Sequence, residues 1–260
     1  MHLDATRTVR DLATEVPNAT RIFEKFGIDY CCGGSKPLQD ACRQANISVD
    51  EVLRGLEGDN AAGADTSSAL DFDNVHLTEL IAHILDKHHG YVKQEIPRLQ
   101  RLLVKVVGIH GVVHPELGAV QQTFTGLANE LTGHMMKEEM VLFPYIEKLE
   151  EVVRSSQPVP RAPFGSINNP VHMMELEHES AGHALKEIRA LTSDYTPPES
   201  ACFSYRTLYS ALKEFEADLH QHVHLENNIL FPRAVDMENT LGPDWNVSIR
   251  ELGEHRCFNH

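Results

Sequence analysis

Two stretches of the chain repeat one pattern of residues that could bind metal ions. Both read H-x-x-x-E-x-x-x-L-F-P, the first at 134–144 and the second at 222–232. Residues four apart lie on one face of a helix, about one turn from each other, so an imidazole and a carboxylate of each copy can reach the same metal pair. The repeat predicts a duplicated helical hairpin with a shared site. The four residues are His134, Glu138, His222 and Glu226.

These residues fall within the apolar rows of their helices, which should face a core. A third helix has such a row, with Met174 and Leu185 at helical spacing, and it includes His178. A buried carboxylate is costly unless it is paired or bound to a metal, so the converging set predicts bound cations. The histidines that lie off these rows and are expected in solvent are His183, His220 and His224.

The helix before them must also contribute a ligand if the bundle is symmetric, but its pattern is ambiguous. Of His83, His88 and His89, the apolar rows accommodate either of the last two, and periodicity does not choose between them. Near the end of that helix, His110 and His114 are as compatible with an ordinary polar turn as with a metal site. Nitrogen and carboxylate ligands without thiolate disfavour structural zinc, and a histidine-rich set favours iron over manganese.

Four long helical segments and almost no strand signal predict an all-α bundle. We expect a small helical N-terminal domain over 1–57, a polar linker over 58–73, the four-helix bundle over 74–238 and an extension over 239–260. The linker is predicted because its residues are small and polar, and the extension because it has no clear hydrophobic period.

The composition of the chain disfavours several classes of binding partner and cellular location. The net charge of −15 makes nucleic acid and anionic membrane surfaces poor partners. No stretch reaches the roughly 18 apolar residues that a membrane span needs, and the N-terminal residues lack the apolar segment of a secretory signal. Five cysteines, two of them adjacent, make a poor disulfide framework. They fit a reducing cytoplasm better.

The adjacent Cys31 and Cys32 are the second candidate for chemistry. Neighbouring cysteines can form only a strained disulfide, and strained disulfides are the labile, regulatory or catalytic ones. We therefore predict a redox pair that passes electrons to the metal site or contacts a client protein. The alternative is a turn with two half-buried thiols. Structural roles are expected for the other cysteines, Cys42, Cys202 and Cys257.

Residues in both parts of the chain resemble known families. The H-x-x-x-E and L-F-P elements resemble the hemerythrin-like family. From about Val9 to Ala234, the chain resembles the di-iron proteins that repair iron–sulfur clusters, the repair-of-iron-centres family. The segments that carry this resemblance are Asp-Tyr-Cys-Cys-Gly-Gly at 29–34, His-Met-Met-Lys-Glu-Glu at 134–139, Glu-His at 177–178, and residues 225–234.

The resemblance implies two iron ions, oxo-bridged when oxidised, held by five histidines and two bridging glutamates. Carried over by position, the ligands are His89, His110, His134, His178, His222, Glu138 and Glu226. This carry-over selects His89 over His88. Oxygen-carrying hemerythrins have a further histidine one turn beyond the position of His178, where this chain has Gly182, and the glycine would leave room for a ligand or a channel.

The function that the resemblance implies is repair of iron–sulfur clusters damaged by nitrosative and oxidative stress. The implied partners are nitric oxide or another diatomic ligand, damaged iron–sulfur proteins and an electron donor of open identity, with a homodimer as a family-level expectation. Reduction of nitric oxide to nitrous oxide and supply of iron are both compatible with it, so the enzyme class stays open. The alternative is a non-enzymatic, hemerythrin-like sensor or carrier of oxygen, nitric oxide or iron.

Overall fold

The computed structural model describes residues 3–16, 18–61, 72, 74–155, 162 and 164–241. Within these ranges the chain is helical and has no β-strand beyond an isolated bridge between Thr8 and Pro37, which confirms the predicted all-α class. None of the helices in these ranges is long and apolar enough to cross a membrane. Most of the predicted linker and of the C-terminal extension lies outside the described residues.

The N-terminal domain folds around an apolar cluster of its own. Its helices are α1 (Val9–Glu15), α2 (Ala19–Phe26), α3 (Leu38–Ala45) and α4 (Val49–Ala61). Helices α2 and α3 end at Gly27 and Asn46, both in the left-handed conformation that stops a helix and redirects the chain. Leu12, Phe23 and Leu38 are fully buried in the cluster. The backbone of α4 continues as a helix into the first residues of the expected linker.

In the described part of the chain, four long helices form the bundle, and three of them contain a π-helical turn. The first consists of α5 (Leu77–His83), a π-helical turn (Ile84–His89) and α6 (Gly90–His110). The second consists of α7 (Glu116–Lys137), a π-helical turn (Glu138–Leu142) and α8 (Phe143–Ser155). The third is α9 (Asn168–Leu191), and the fourth consists of α10 (Phe203–Leu225), a π-helical turn (Glu226–Leu230) and α11 (Phe231–Thr240).

Each π-helical turn carries one of the predicted metal ligands. His89 is the last residue of the first turn, and Glu138 and Glu226 are the first residues of the other two. Such turns are rare and occur frequently at functional sites. The proline of each L-F-P sequence, Pro144 or Pro232, lacks an N–H and crowds the carbonyl group four residues earlier. The helix therefore widens just before it, next to the glutamate.

The predicted ligands form a polar layer between two apolar clusters of the bundle. One cluster contains Leu80, Leu149 and Leu230, and the other contains Leu103 and Phe124. Close packing on both sides excludes water and fixes the positions of the helices that carry the polar layer. The layer therefore lies in a closely packed part of the bundle that is shielded from bulk solvent.

The duplication of the chain extends beyond the metal motif. Glu150 and Glu238 follow the two motif glutamates at the same spacing, 138 to 150 and 226 to 238. Glu150 accepts hydrogen bonds from the backbone N–H groups of Leu77 (2.7 Å) and Thr78 (3.0 Å), and Glu238 accepts one from Ile167 (3.0 Å). A carboxylate satisfies the free N–H groups at a helix start. Each half thus caps the helix that precedes it.

The N-terminal domain contacts the fourth bundle helix through Asn228. The amide nitrogen of Asn228 donates to the backbone oxygen of Tyr30 (2.8 Å) and to Nδ1 of His224 (2.8 Å), and its oxygen accepts from Nε of Arg10 (2.8 Å). Gly34 approaches so closely that a Cβ atom there would lie 3.0 Å from Oδ1 of Asn228. The domain therefore rests on the same π-helical turn that carries a predicted ligand.

Replacing Asn228 with alanine should lower the free energy of unfolding by about 1–3 kcal/mol, because buried groups that bond to it lose their partner. Urea unfolding of the two proteins measures this change. Gln221→Ala is the matched control, since Gln221 is only half-buried and donates one hydrogen bond to the hydroxyl of Tyr30. If Asn228→Ala and the control unfold alike, Asn228 does not hold the domain in place.

Candidate metal centre

Six of the seven predicted ligands converge at the centre of the bundle, and all six are at most 3% exposed. Their donor atoms form two groups that lie close enough to hold one ion each. His89 and His222 belong to the first group, His134 and His178 to the second, and Glu138 and Glu226 to both. The two groups thus share their carboxylates.

The Nε2 atoms of the four histidines face the centre in two pairs. Nε2 of His89 lies 3.1 Å from Nε2 of His222, and Nε2 of His134 lies 3.0 Å from Nε2 of His178. Nitrogens that bind one ion at about 2.1 Å and at right angles to each other lie about 3 Å apart. Each pair therefore has the spacing of two neighbouring ligands on one ion.

The two glutamates lie between the histidine pairs. Oε2 of Glu138 is 3.4 Å from Nε2 of His89 and 3.3 Å from Nε2 of His134. Glu226 repeats the arrangement, with one oxygen 2.9 Å and the other 3.2 Å from the Nε2 atoms of the remaining two histidines. Each carboxylate reaches one histidine of each pair, as a bridge between two ions requires.

Three carboxylate oxygens of this layer lack a hydrogen bond. Among the described residues, no hydrogen bond reaches either oxygen of Glu138 or Oε2 of Glu226, although all three atoms are buried. A buried carboxylate oxygen without a hydrogen bond is costly, and a cation bound to these oxygens removes the cost. Nitrogen and oxygen donors without a thiolate also suit iron. The residues therefore fit the two-iron group that the hemerythrin-like resemblance implies.

The buried charges of the cluster stabilise one another. Burial lowers the pKa of His89, but its close contacts with the carboxylates of Glu138 and Glu226 and the attraction of both charges outweigh it and raise that pKa to about 10. The same competition raises the pKa of His134 to about 9. Burial and repulsion from Glu226 raise the pKa of Glu138, but the neighbouring histidines outweigh both and hold it below its usual value. Protons therefore occupy the cluster when metal does not, and a metal must displace them.

Three of the four histidines are also held by an acceptor behind the ring. The bonds from Nδ1 join His89 to Glu139 at 2.7 Å, His134 to Glu177 at 2.9 Å and His178 to Asn227 at 2.8 Å. Because Nε2 faces the centre, the proton is assigned to Nδ1, which donates. No role was predicted for these acceptors from the sequence. The sequence feature that could have identified them is that each directly adjoins a predicted ligand in the chain.

His110 does not join this cluster, and the structure corrects its assignment as an iron ligand. His110 is the last residue of α6, which begins directly after His89 and has 21 residues, so it lies roughly 30 Å further along the helix axis. Its Nε2 atom is 3.1 Å from Sγ of Cys202, and its ring packs against Tyr205. The assignment was wrong because it was carried over from the resemblance by position alone. The length of α6 keeps His110 away from the other ligands.

Two histidines that were expected in solvent lie at the contact between the N-terminal domain and the bundle. His224 is buried beside Asn228, and burial lowers its pKa to about 4. His220 is half-buried, and its Nδ1 is 2.7 Å from Glu24 of the N-terminal domain. Their prediction was wrong because the packing of one domain on another is not visible in helical periodicity. His183 is exposed, as predicted.

Cys31 and Cys32 lie beside the metal layer as free thiols, with 3.9 Å between their sulfur atoms. Sγ of Cys32 is 3.6 Å from the backbone oxygen of His178 and 3.8 Å from where a Cβ atom of Gly182 would be. The space at Gly182, expected to admit a ligand or a channel, is therefore filled by Cys32. The hydrogen bond to Cys32 and burial raise the pKa of Cys31 well above its usual value, which disfavours its thiolate.

Comparisons with known proteins cover both parts of the chain. Residues 80–234 match the hemerythrin HHE cation binding domain, and residues 5–60 match ScdA_N, a domain of unknown function (DUF542). The chain is 36% identical over 233 residues to a probable iron-sulfur cluster repair protein of Haemophilus influenzae, covering 89% of this chain and 98% of that protein. It is 34% identical over 224 residues to the iron-sulfur cluster repair protein YtfE of Yersinia pseudotuberculosis, covering 86% and 94%.

Proposed function

Because this chain belongs to the family of hemerythrin-like iron–sulfur cluster repair proteins, we propose that it uses a di-iron centre to restore clusters damaged by nitrosative and oxidative stress. The observation that carries the proposal is the pair of buried groups that share both carboxylates. Such a shared pair holds two ions close together, whereas a site for a single structural ion needs only one group. The client is a protein with a damaged iron–sulfur cluster.

In this proposal, His89 and His222 hold one iron, and His134 and His178 hold the other. Glu138 and Glu226 would contribute to both ions, and the oxidised centre would carry the oxo bridge that the resemblance implies. The protein would then offer each ion four donor atoms, two nitrogens and two oxygens, and a small ligand could take a further position. The buried charge of the carboxylates is neutralised by the metal, and the apolar clusters on both sides keep bulk water out.

A cluster-repair assay tests the proposed function. A client with a nitric oxide-damaged cluster is incubated anaerobically with the iron-loaded protein and a reductant, and the recovery of client activity is followed. We expect recovery with the wild-type protein and none with Glu138→Ala. Glu150→Gln, which changes a buried glutamate outside the metal layer, should still repair. Equal recovery with and without the protein would contradict the proposal.

Reduction of nitric oxide is the second candidate activity, and the open positions on each ion favour it. When bound, two ferrous ions would supply the two electrons that, with two protons from the solvent, convert two nitric oxide molecules to nitrous oxide and water. Gas analysis of the reduced protein under anaerobic nitric oxide should detect nitrous oxide, and an excess of reductant should make it accumulate over many turnovers. Nitric oxide binding without nitrous oxide would identify a sensor or carrier instead.

Cys31 and Cys32 are proposed to serve as a redox pair beside the centre. Cys32 is the more exposed thiol and is in contact with the backbone of His178, whereas Cys31 is buried. Replacing both cysteines with serine should leave the iron content unchanged and reduce repair activity at least severalfold, because electrons lose their route. Iron analysis and the repair assay measure the two effects. Full repair activity in the double variant would leave the pair with a structural role.

A further inference from the structure

The two metal positions differ in how their histidines are supported. A metal-bound imidazole usually donates its other N–H to an acceptor, which orients the ring and strengthens its bond to the metal. On the side of His134 and His178, both rings have such an acceptor. On the other side His89 donates to Glu139, but among the described residues no hydrogen bond reaches Nδ1 of His222.

The internal duplication identifies the residue that stands in place of the missing acceptor. Glu177, which directly precedes a ligand of the third bundle helix, accepts the bond from His134 on the second. The corresponding residue of the first bundle helix is His88, which directly precedes His89 and packs against His222 on the fourth. One half of the duplicated site therefore has a carboxylate where the other half has an imidazole.

His88 does not take over the role of the carboxylate. Its ring stacks on that of His222, with centroids 5.6 Å apart and planes 6° from parallel, so it presents a ring face and no acceptor atom. Nδ1 of His88 is instead 3.0 Å from the carboxylate of Asp218. Because His222 is 1% exposed, bulk solvent does not reach its ring to supply the missing acceptor.

We propose that the iron on His89 and His222 is the labile member of the pair and leaves the protein first, an inference that rests on the proposed di-iron function. Loss of such an outer hydrogen bond typically lowers metal affinity by about ten- to a hundredfold. The iron on His134 and His178 is retained, together with the bridging glutamates. The protein can then supply one iron to a damaged cluster without dismantling the whole centre.

Release of iron into an excess of a ferrous chelator tests the inference, with the reduced, fully loaded protein under anaerobic conditions. We expect two phases of equal amplitude, one iron per chain in each, with rates that differ by about ten- to a hundredfold. His88→Gln places an amide at this position, where it can accept from His222 and donate to Asp218, and should slow the fast phase. Glu177→Ala removes the acceptor of His134 and should accelerate the slow phase.

Glu179→Ala is the matched control, because Glu179 is an exposed glutamate on the same helix as Glu177. The Glu179→Ala variant should release iron at the rates of the wild type. Iron analysis before mixing separates two kinds of failure. A chain that holds two irons and releases both in one phase overturns the inference alone, as do two phases that neither His88→Gln nor Glu177→Ala changes. A chain that never holds two irons contradicts the di-iron centre and the inference with it.

Discussion

Replacing Glu138 with alanine should reduce the iron content of the anaerobically purified protein from about two ions per chain to less than one. Glu138 belongs to both groups of donor atoms and lies between His89 and His134. In the proposed centre, its loss would take a ligand from each ion and half of the negative charge that offsets the two cations, so neither position would be left intact. Metal analysis of the purified variant measures the effect, and Glu226→Ala should behave alike because Glu226 occupies the equivalent place in the duplication.

The control for this prediction lies on the same bundle helix. Glu150 is as buried as a ligand, but it caps the N-terminal end of the first bundle helix and has no part in the metal layer. Glu150→Gln should therefore weaken the fold and retain about two irons per chain. If Glu138→Ala kept its iron, the bridging role would be wrong. If Glu150→Gln lost iron to the same extent as Glu138→Ala, the loss of metal would reflect general instability instead of a missing ligand.

Iron binding should release protons and strengthen steeply as the pH rises. In the metal-free cluster the pKa of His89 is about 10 and that of His134 is about 9, so both rings are protonated at neutral pH. Iron binds only the neutral ring. Each histidine that must lose a proton makes the affinity rise up to about tenfold per pH unit until the pH passes its pKa. Calorimetric titration of the metal-free protein near pH 7.5, in buffers of different ionisation enthalpy, should detect this release, whereas pH-independent binding without it would contradict the proposed ligand set.

The same pKa shifts predict how the metal-free protein responds to alkali. A histidine whose pKa is higher in the folded than in the unfolded chain adds stability below its usual pKa of about 6.5. That stability is lost as the pH rises through the folded value. The metal-free protein should therefore unfold at lower urea concentration at pH 10 than at pH 7, while the iron-loaded protein changes less. Urea midpoints of both forms at the two values measure the difference.

The sequence carried enough information to place most of the site. His134 and Glu138 are four residues apart, and the second motif repeats this spacing, so the two members of each pair lie on one face of their helix. The apolar row of the third helix includes His178. These signals are local, so a helix period reveals them. Periodicity did not decide whether His88 or His89 is the ligand. In the structure His89 lies in the metal layer, and His88 packs behind it.

The features that the sequence did not predict arise from contacts between distant parts of the chain. The π-helical turns place His89 and the two glutamates at an angle that an ideal period does not describe. His224 is buried because the N-terminal domain packs on it, and no pattern in the bundle sequence alone encodes that contact. The assignment of His110 failed for a related reason, because a position carried over from a resemblance took no account of helix length.

Anomalous diffraction at the iron absorption edge, from crystals of the anaerobically purified protein, tests the central claim most directly. We expect two iron peaks in each chain, one within bonding distance of His89 and His222 and the other of His134 and His178, with Glu138 and Glu226 reaching both. A single peak, or a peak located at Cys31 and Cys32 instead, would contradict the shared two-metal site.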